Sequence, residues 1–255
     1  MAGLPSVLCQ AGGNYLNTFY DRKLDKAAKE RGIDGDEGIV MGHVSPQLCL
    51  TLGFLCAFLG YLSHFVLYGF ASLHWYTMGW CLSVFYTCPP LQFKHRAMGD
   101  FTVLVAFGLL LPCYQMDASA EIDLHCLLVL LPATLLTIAI LHANNLRDIK
   151  IDREFNVRTL ANILSEEDAQ FYYCYLTFAS YFLYGALAIY QTKSRDFTLA
   201  SLLPYALPFL TMPIASSNFK RVKGGKYVLL DQDTAKLHLL VGLASALGML
   251  LSNTY

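Results

Sequence analysis

The stretch Asn144-Asn145-Leu146-Arg147-Asp148-Ile149-Lys150-Ile151-Asp152-Arg153 sets two amides, two carboxylates and three cations directly after an apolar run. That run, Leu124 to His142, holds no Asp, Glu, Lys or Arg. Asp148 and Asp152 are four apart, so a helix continuing through them carries both on one face, with Cβ atoms about 5–6 Å apart. Two hard oxygen ligands at that separation suit Mg²⁺, which takes one or two carboxylates and fills its shell with water and substrate phosphate. A second set, Asn17, Asp21 and Asp25, recurs at the same interval where the apolar stretch Met1 to Tyr20 ends. Two acidic faces, each at the end of a membrane segment, can hold a metal-bound diphosphate between them.

The elements that must carry these residues are membrane helices. The chain is 55% hydrophobic and only 15% charged, with a mean hydropathy of +0.43, too apolar for a soluble protein of 255 residues. Its charges are clustered: none falls in 38–93, 101–116, 124–146, 169–192, 197–219 or 237–255. A hydrocarbon core about 30 Å thick needs ~20 helical residues. Most of these runs reach that length, and the first holds two spans that turn near Tyr68 to Ser72. The count is eight segments, all helical, because backbone exposed to lipid must satisfy its own hydrogen bonds. No linker divides them, so residues 1–255 read as one integral membrane domain.

With the segments alternating in direction, the loops after the first, third, fifth and seventh carry 16 of the 18 Lys and Arg residues. The opposite side has only Lys193 and Arg195. The positive-inside rule then makes both Asp-rich loops cytoplasmic. Asp21 to Glu37 reads as a charged loop. Only 16 residues precede Asn17, about 24 Å of helix, short of a full crossing. The first helix therefore looks clipped, and a helix upstream of it is expected to be missing from the chain.

Pro89-Pro90 ends the third segment, since proline lacks an N–H and restricts the residue before it. Lys94 and Arg96 then stand just beyond the membrane, as positive-inside anchors or, for Lys94, facing a diphosphate. Asp100 opens the fourth segment. The eight cysteines lie in apolar runs with no C-x-x-C pair, which leaves zinc and redox motifs unsupported. The seven histidines form no H-x-x-x-H pair and read as interfacial or packed, with His142 alone kept as a candidate to support the acidic motif. Nothing points to nucleic acid.

At this point the residues resemble a family. Asn17-x-x-x-Asp21-x-x-x-Asp25 and Asn144-Asn145-x-Arg147-Asp148-x-x-x-Asp152-Arg153 are similar to the two Asp-rich motifs of the UbiA superfamily of intramembrane aromatic prenyltransferases. The second is closest to the menaquinone-forming branch, bacterial MenA and its animal relatives. Leu141 to Asn145, Thr234-Ala235-Lys236-Leu237, and Tyr86-Thr87 followed by Phe93-Lys94 and Gly99-Asp100 fit the same branch.

The resemblance implies an all-α integral membrane bundle, about eight transmembrane helices here against nine in the family, around a polar cavity open sideways to lipid. It implies Mg²⁺-dependent transfer of a prenyl group from a polyprenyl diphosphate, such as geranylgeranyl diphosphate, to a naphthoquinol-type ring in menaquinone (vitamin K₂) or ubiquinone synthesis. Asn17, Asp21, Asp25, Asp148 and Asp152 would hold the metal. Arg22, Lys94 and Arg153 would meet phosphate, Asn144 and Asn145 would orient carboxylates or substrate, and Tyr86 would face the substrate. Asp25 or a neighbouring carboxylate would take the ring proton. The expected location is the endoplasmic reticulum, Golgi or mitochondrial membrane of a eukaryote, or a bacterial inner membrane. The rival reading is a non-catalytic regulator that binds prenyl diphosphate, or an inactive truncated form. A transporter fits less well, because it would place charge or broken helices at mid-membrane.

Overall fold

The computed structural model describes residues 3–30, 42–117, 122–194 and 197–252. Every regular element among them is helical: α1 (Gly3–Glu30), α2 (Pro46–Tyr68), α3 (Leu73–Thr87), α4 (Gly99–Asp117), α5 (Leu124–Glu154), α6 (Glu166–Gln191), α7 (Met212–Lys223) and α8 (Leu230–Ser252), with short turns between. Among the described residues α2, α4, α5 and α8 are each long and apolar enough to cross a membrane. The chain divides into two compact units, residues 1–123 with 148–163, and residues 124–147 with 164–255.

The helix ends follow local chemistry. Ser45 caps α2, its hydroxyl accepting from the Leu48 N–H, with Pro46 in the first turn, where its missing donor costs nothing. Gly69, at φ +60, closes the same helix by donating to the Phe65 carbonyl, so the turn expected near Tyr68 to Ser72 is where the chain reverses. Ser165 caps α6 by accepting from the Asp168 N–H.

In the first unit α1 lies against α2 and α3. Gly60 on α2 makes room for Tyr76 of α3: a Cβ there would fall 2.1 Å from the tyrosine oxygen. Small residues at such contacts let membrane helices approach closely. α3 ends at Thr87, just before Pro89-Pro90, as expected. α4 widens into a π-helical turn at Ala106–Leu110. Pro112 has no N–H to offer the Gly108 carbonyl, which accounts for the widening.

Two sequence expectations need correction. Asp21 to Glu37 is not a loop from its start, because α1 continues through Asp21 and Asp25 to Glu30; residues 31–37 lie outside the described part, as does Arg195. The seventh segment, read as one continuous span within the uncharged run 197–219, is broken into short turns at Ala200–Leu202, Leu203–Ala206 and Leu207–Thr211 before α7 begins. Pro204, Pro208 and Pro213 each remove a helical donor.

The second unit packs around Leu136, Tyr181, Tyr184, Tyr205, Ala215, Leu237 and Val241. Hydroxyls satisfy carbonyls at its prolines: Ser180 donates to Pro132 at 2.9 Å, Ser245 to Pro204 at 3.0 Å and Thr211 to Pro208 at 2.7 Å. Gly248 on α8 meets this broken segment directly, and a Cβ there would lie 2.5 Å from the backbone of Leu203 and Pro204. Backbone cannot swing aside as a side chain can. Gly248→Val is therefore expected to cost about 1–3 kcal/mol, read as a lowered Tm in detergent. An unchanged Tm would mean that α8 does not sit this close.

Candidate functional site

Asp21 is almost fully buried on α1, with 4% of its side chain exposed. Its carboxylate is held by Lys94 through an ion pair and by His95, whose Nε2 lies 3.0 Å from Oδ1. Lys94 and His95 sit in the 3₁₀ turn Phe93–His95 that follows α3. Asn17, one helical turn back along α1, accepts a 2.7 Å hydrogen bond from the hydroxyl of the fully buried Thr87 at the end of α3. The first acidic motif is thus fastened to the third helix and its loop at two points.

That loop is tied in turn to the chain following α5. The Ala97 N–H donates to the Arg158 carbonyl at 2.6 Å, and the Arg158 N–H donates to the His95 carbonyl at 3.2 Å. Ala97 and Asn156 take left-handed conformations, at φ 58 and φ 56, to make the connection. The Val157 N–H closes the turn on the Asp152 carbonyl at 2.8 Å.

α5 carries the second motif as expected, with Asp148 and Asp152 on one continuous helix. It has 31 residues, about 46 Å of helix against roughly 30 Å of hydrocarbon. Its apolar part ends near Ala143, so Asp148 and Asp152 stand beyond the membrane-spanning portion.

The charges of both motifs act on each other here. Burial alone would raise the Asp21 pKa, but Lys94 and His95 outweigh it and hold the carboxyl below its ordinary value. Burial would likewise lower Lys94, yet Asp21, with a smaller push from Asp25, keeps its pKa raised. Asp152 is 3% exposed. Burial pushes its carboxyl up, Lys94 pulls it down, and Asp148 and Asp21 push it up again, leaving it at about 7. Carboxylates from both motifs therefore feel one lysine, and Asp152 is the one least able to hold a charge unaided.

Other expected residues lie differently. Arg22 folds back on its own helix, donating to the Phe19 carbonyl at 2.5 Å with its guanidinium 4.7 Å from the Phe19 ring centroid. Arg153 is exposed and donates to the Asn162 carbonyl at 3.2 Å. Asn144 and Asn145 belong to the second unit. There Arg147 donates to Asn144 and pairs with Asp231 at 2.8 Å. His142, kept as a support for the acidic motif, is instead a packed histidine, its Nε2 2.9 Å from the Ala169 carbonyl and its ring edge-on to Tyr172. His95, read from sequence as interfacial or packed, touches an acidic residue, Asp21. Its one visible signal was its place next to Lys94. Thr87 had been given no role either.

A cavity of about 440 Å³ opens between α1, α3 and α4. Asn17, Tyr86 and Thr102 line it at the end toward Asp21, and Ser6, Tyr76 and Tyr114 at the other. Most of what lies between is apolar.

A bundle of membrane helices with clustered carboxylates at the head of an apolar cavity is the arrangement of a membrane-bound enzyme for lipid-like substrates. The UbiA prenyltransferase family model matches residues 1–221, and the chain belongs to that family. It is 33% identical over 261 residues to UbiA prenyltransferase domain-containing protein 1 of Xenopus tropicalis, an alignment covering 94% of this chain and 68% of that protein. The human protein of the same name is 33% identical over 249 residues, covering 94% and 69%. In structure the chain is similar to a UbiA homologue from Aeropyrum pernix K1 in its apo state, with a TM-score of 0.69 at 14% identity, covering 97% of this chain and 88% of that one. Its class is that of a membrane prenyltransferase.

The Asp152 carboxyl sets a pH dependence. Its folded pKa of about 7 exceeds the usual ~3.9 of an unfolded aspartate. The folded state therefore holds this proton more tightly, and stability falls as pH rises from about 4 to about 7, then levels off. Asp152→Asn removes that penalty. Without divalent cations the variant is expected to gain in Tm over the wild type between pH 5 and pH 8, at roughly 1.4 kcal/mol per pK unit as an upper bound. The same Tm difference at both pH values would contradict it.

Proposed function

We propose that the chain transfers a prenyl group from a polyprenyl diphosphate, such as geranylgeranyl diphosphate, to a naphthoquinol-type ring carbon in menaquinone synthesis. The observation that carries this reading is the position of the Asp21–Lys94–His95 cluster beside the polar end of the cavity, next to Asn17 and Tyr86. A diphosphate held at the cluster would lay its apolar tail along the cavity. Relatives named for a UbiA prenyltransferase domain support the same chemistry.

In the reaction the allylic C–O bond breaks and its electron pair leaves with the diphosphate. The ring carbon attacks the allylic carbon, and the ring then gives up a proton. Asn17, Asp21, Asp25, Asp148 and Asp152 are the residues that would hold Mg²⁺. Among the described residues no three His, Cys, Asp or Glu groups converge into a complete cation cage. In this reading one or two of these carboxylates at a time would touch the ion, and water and substrate phosphate would complete its shell. The mutual crowding of Asp21, Asp148 and Asp152 fits this, because an added cation relieves it. Bound there, Mg²⁺ would supply charge stabilisation to the departing diphosphate.

The chain's own groups do the remainder. Lys94, held by Asp21, stands ready to turn its ammonium to a phosphate oxygen. Arg22 and Arg153 can add donors by leaving their backbone carbonyls. Tyr86 faces the cavity near the reacting end, where its ring can shield an allylic cation. Asn144 and Asn145 orient the carboxylates or the substrate, and Asp25 or a neighbouring carboxylate takes the ring proton. Both acidic motifs lie on the cytoplasmic side, as the distribution of Lys and Arg indicates.

The test is prenylation of a naphthoquinol with geranylgeranyl diphosphate by the protein in lipid membranes. Turnover is expected to need Mg²⁺, to stop with a chelator, and to fall by about 10² or more in Asp148→Ala and Asp21→Ala, as when a charge-stabilising group is lost. Mg²⁺-dependent binding of the diphosphate without any turnover would instead favour the regulator.

A further inference from the structure

We propose that Arg147 and Asp231 are positioning residues: they lock the amide of Asn144 so that its nitrogen, and not its oxygen, is offered to a substrate oxygen. This rests on the reading of the site as a prenyltransferase site and adds how the second motif presents a hydrogen-bond donor.

Arg147 reaches two partners with one guanidinium. One of its nitrogens pairs with Asp231 at 2.8 Å, and another donates to Asn144 Oδ1 at 2.5 Å. A guanidinium only donates, so the atom of Asn144 turned to it has to be the oxygen. The Nδ2 group is left on the other side of the amide, and among the described residues no protein group accepts from it. Asn144 and Asp148 are four apart on α5, so they are neighbours on one stripe of the helix, while Arg147, adjacent in sequence to Asp148, does not face it. The motif thus divides between two faces. Arg147 turns to α8, and Asn144 and Asp148 share another.

The anchor on α8 is itself held. Asp231 lies in the first turn of that helix. In the same turn Asp233 pairs with Arg221 of α7, and just beyond it Thr234 Oγ1 lies 2.7 Å from Tyr173 Oη on α6. Stability does not account for the Arg147–Asp231 pair. Its side chains are only 12% and 17% exposed, and apolar residues in place of such a pair are often as stable or more so. Asp231 Oδ1 is also buried with no hydrogen-bond partner among the described residues, which adds to the cost. What the pair supplies is orientation. A planar guanidinium fork, fixed at one end by a carboxylate, holds an amide in one of its two flips, as a flexible lysine ammonium would not. An unlocked Asn144 would present oxygen and nitrogen alike, and an amide oxygen repels a phosphate or ring oxygen that needs a donor.

The experiment uses the full chain in lipid nanodiscs and the variant Arg147→Met with Asp231→Leu, which removes both charges together. Three readouts are taken: Tm without ligand, competition binding of the uncleavable geranylgeranyl thiodiphosphate, and KM for a naphthoquinol in transfer. Tm is expected to stay at or above that of the wild type. Thiodiphosphate binding is expected to weaken, or the naphthoquinol KM to rise, by about fivefold, the freedom that one unlocked side chain regains. The first result makes the oxygen a phosphate's and the second makes it the ring's. In an Asn144→Ala background the same two changes are expected to alter neither constant further, because the effect runs through that amide. Arg147→Lys keeps the charge opposite Asp231 and gives up the fork; it is expected to show the same loss, and it carries the test if the double variant does not fold. Wild-type affinity and KM in these variants, or an undiminished fivefold loss in the Asn144→Ala background, overturns the positioning role and leaves the prenyltransferase reading standing. Weakened thiodiphosphate binding in a protein that transfers to no acceptor supports the positioning role and overturns the reaction. A wild type that neither binds nor transfers overturns both.

Discussion

The structure of the site depends on one ion pair. Asp21 has 4% of its side chain exposed and Lys94 has 20%, so neither is bathed in water that would make its charge cheap. A buried carboxylate left alone costs several kcal/mol, and removing one partner from such a pair is far worse than never having made it. The sequence meets that demand with a lysine on the loop after α3, and meeting it fixes the loop against α1. Through its main chain the same loop fixes the turn after α5. One electrostatic requirement on α1 thereby orders two segments remote from it in sequence. The pair does not neutralise the neighbourhood, because Asp25, Asp148 and Asp152 also act around Lys94. The excess is acidic, and it sits where a cation and an anionic phosphate could enter together.

α1 joins the two halves of the chemistry. Its C-terminal turns carry Asp21 and Asp25, and its earlier turns wall the cavity with Asn14, Gln10 and Ser6. A substrate with a charged head and an apolar tail needs this kind of continuity, since charge in the middle of a bilayer is expensive. The π-helical turn of α4 lies on the same cavity: Ala106, Phe107 and Leu110 all face it. A widened turn there brings side chains to the cavity at a register that a regular helix would not give.

Much of this was legible because it is periodic or local. The interval of four in both acidic motifs needs only helical geometry, and α1 and α5 both supply it. Pro89-Pro90 ended α3 where proline chemistry says it must. What was not legible depended on tertiary contact or on weighing two local signals. His95 looked like any interfacial histidine until the fold brought Asp21 to it, 74 residues away. Arg22 pointed at phosphate by type, yet the nearest acceptor was a carbonyl of its own helix. The break across residues 198–211 was written in Pro204 and Pro208, but continuous hydropathy hid it. Hydropathy reports which solvent a segment prefers, and says nothing of which carbonyls have lost their donors. The charges after Tyr20 suggested a loop for a related reason, because polarity marks the end of the membrane and not the end of the helix.

The bond between the loop after α3 and the turn after α5 is made by main chain alone, from Ala97 to Arg158 and from Arg158 to His95. Peptide groups are common to every residue, so no particular side chain at 97 or 158 makes these bonds, although the left-handed backbone at Ala97 disfavours β-branched residues there. What cannot vary is the number of residues between Pro90 and Ala97. A single insertion there would carry Lys94 past its aspartate while leaving every motif in the sequence intact, a lesion that no inspection of individual residues would reveal.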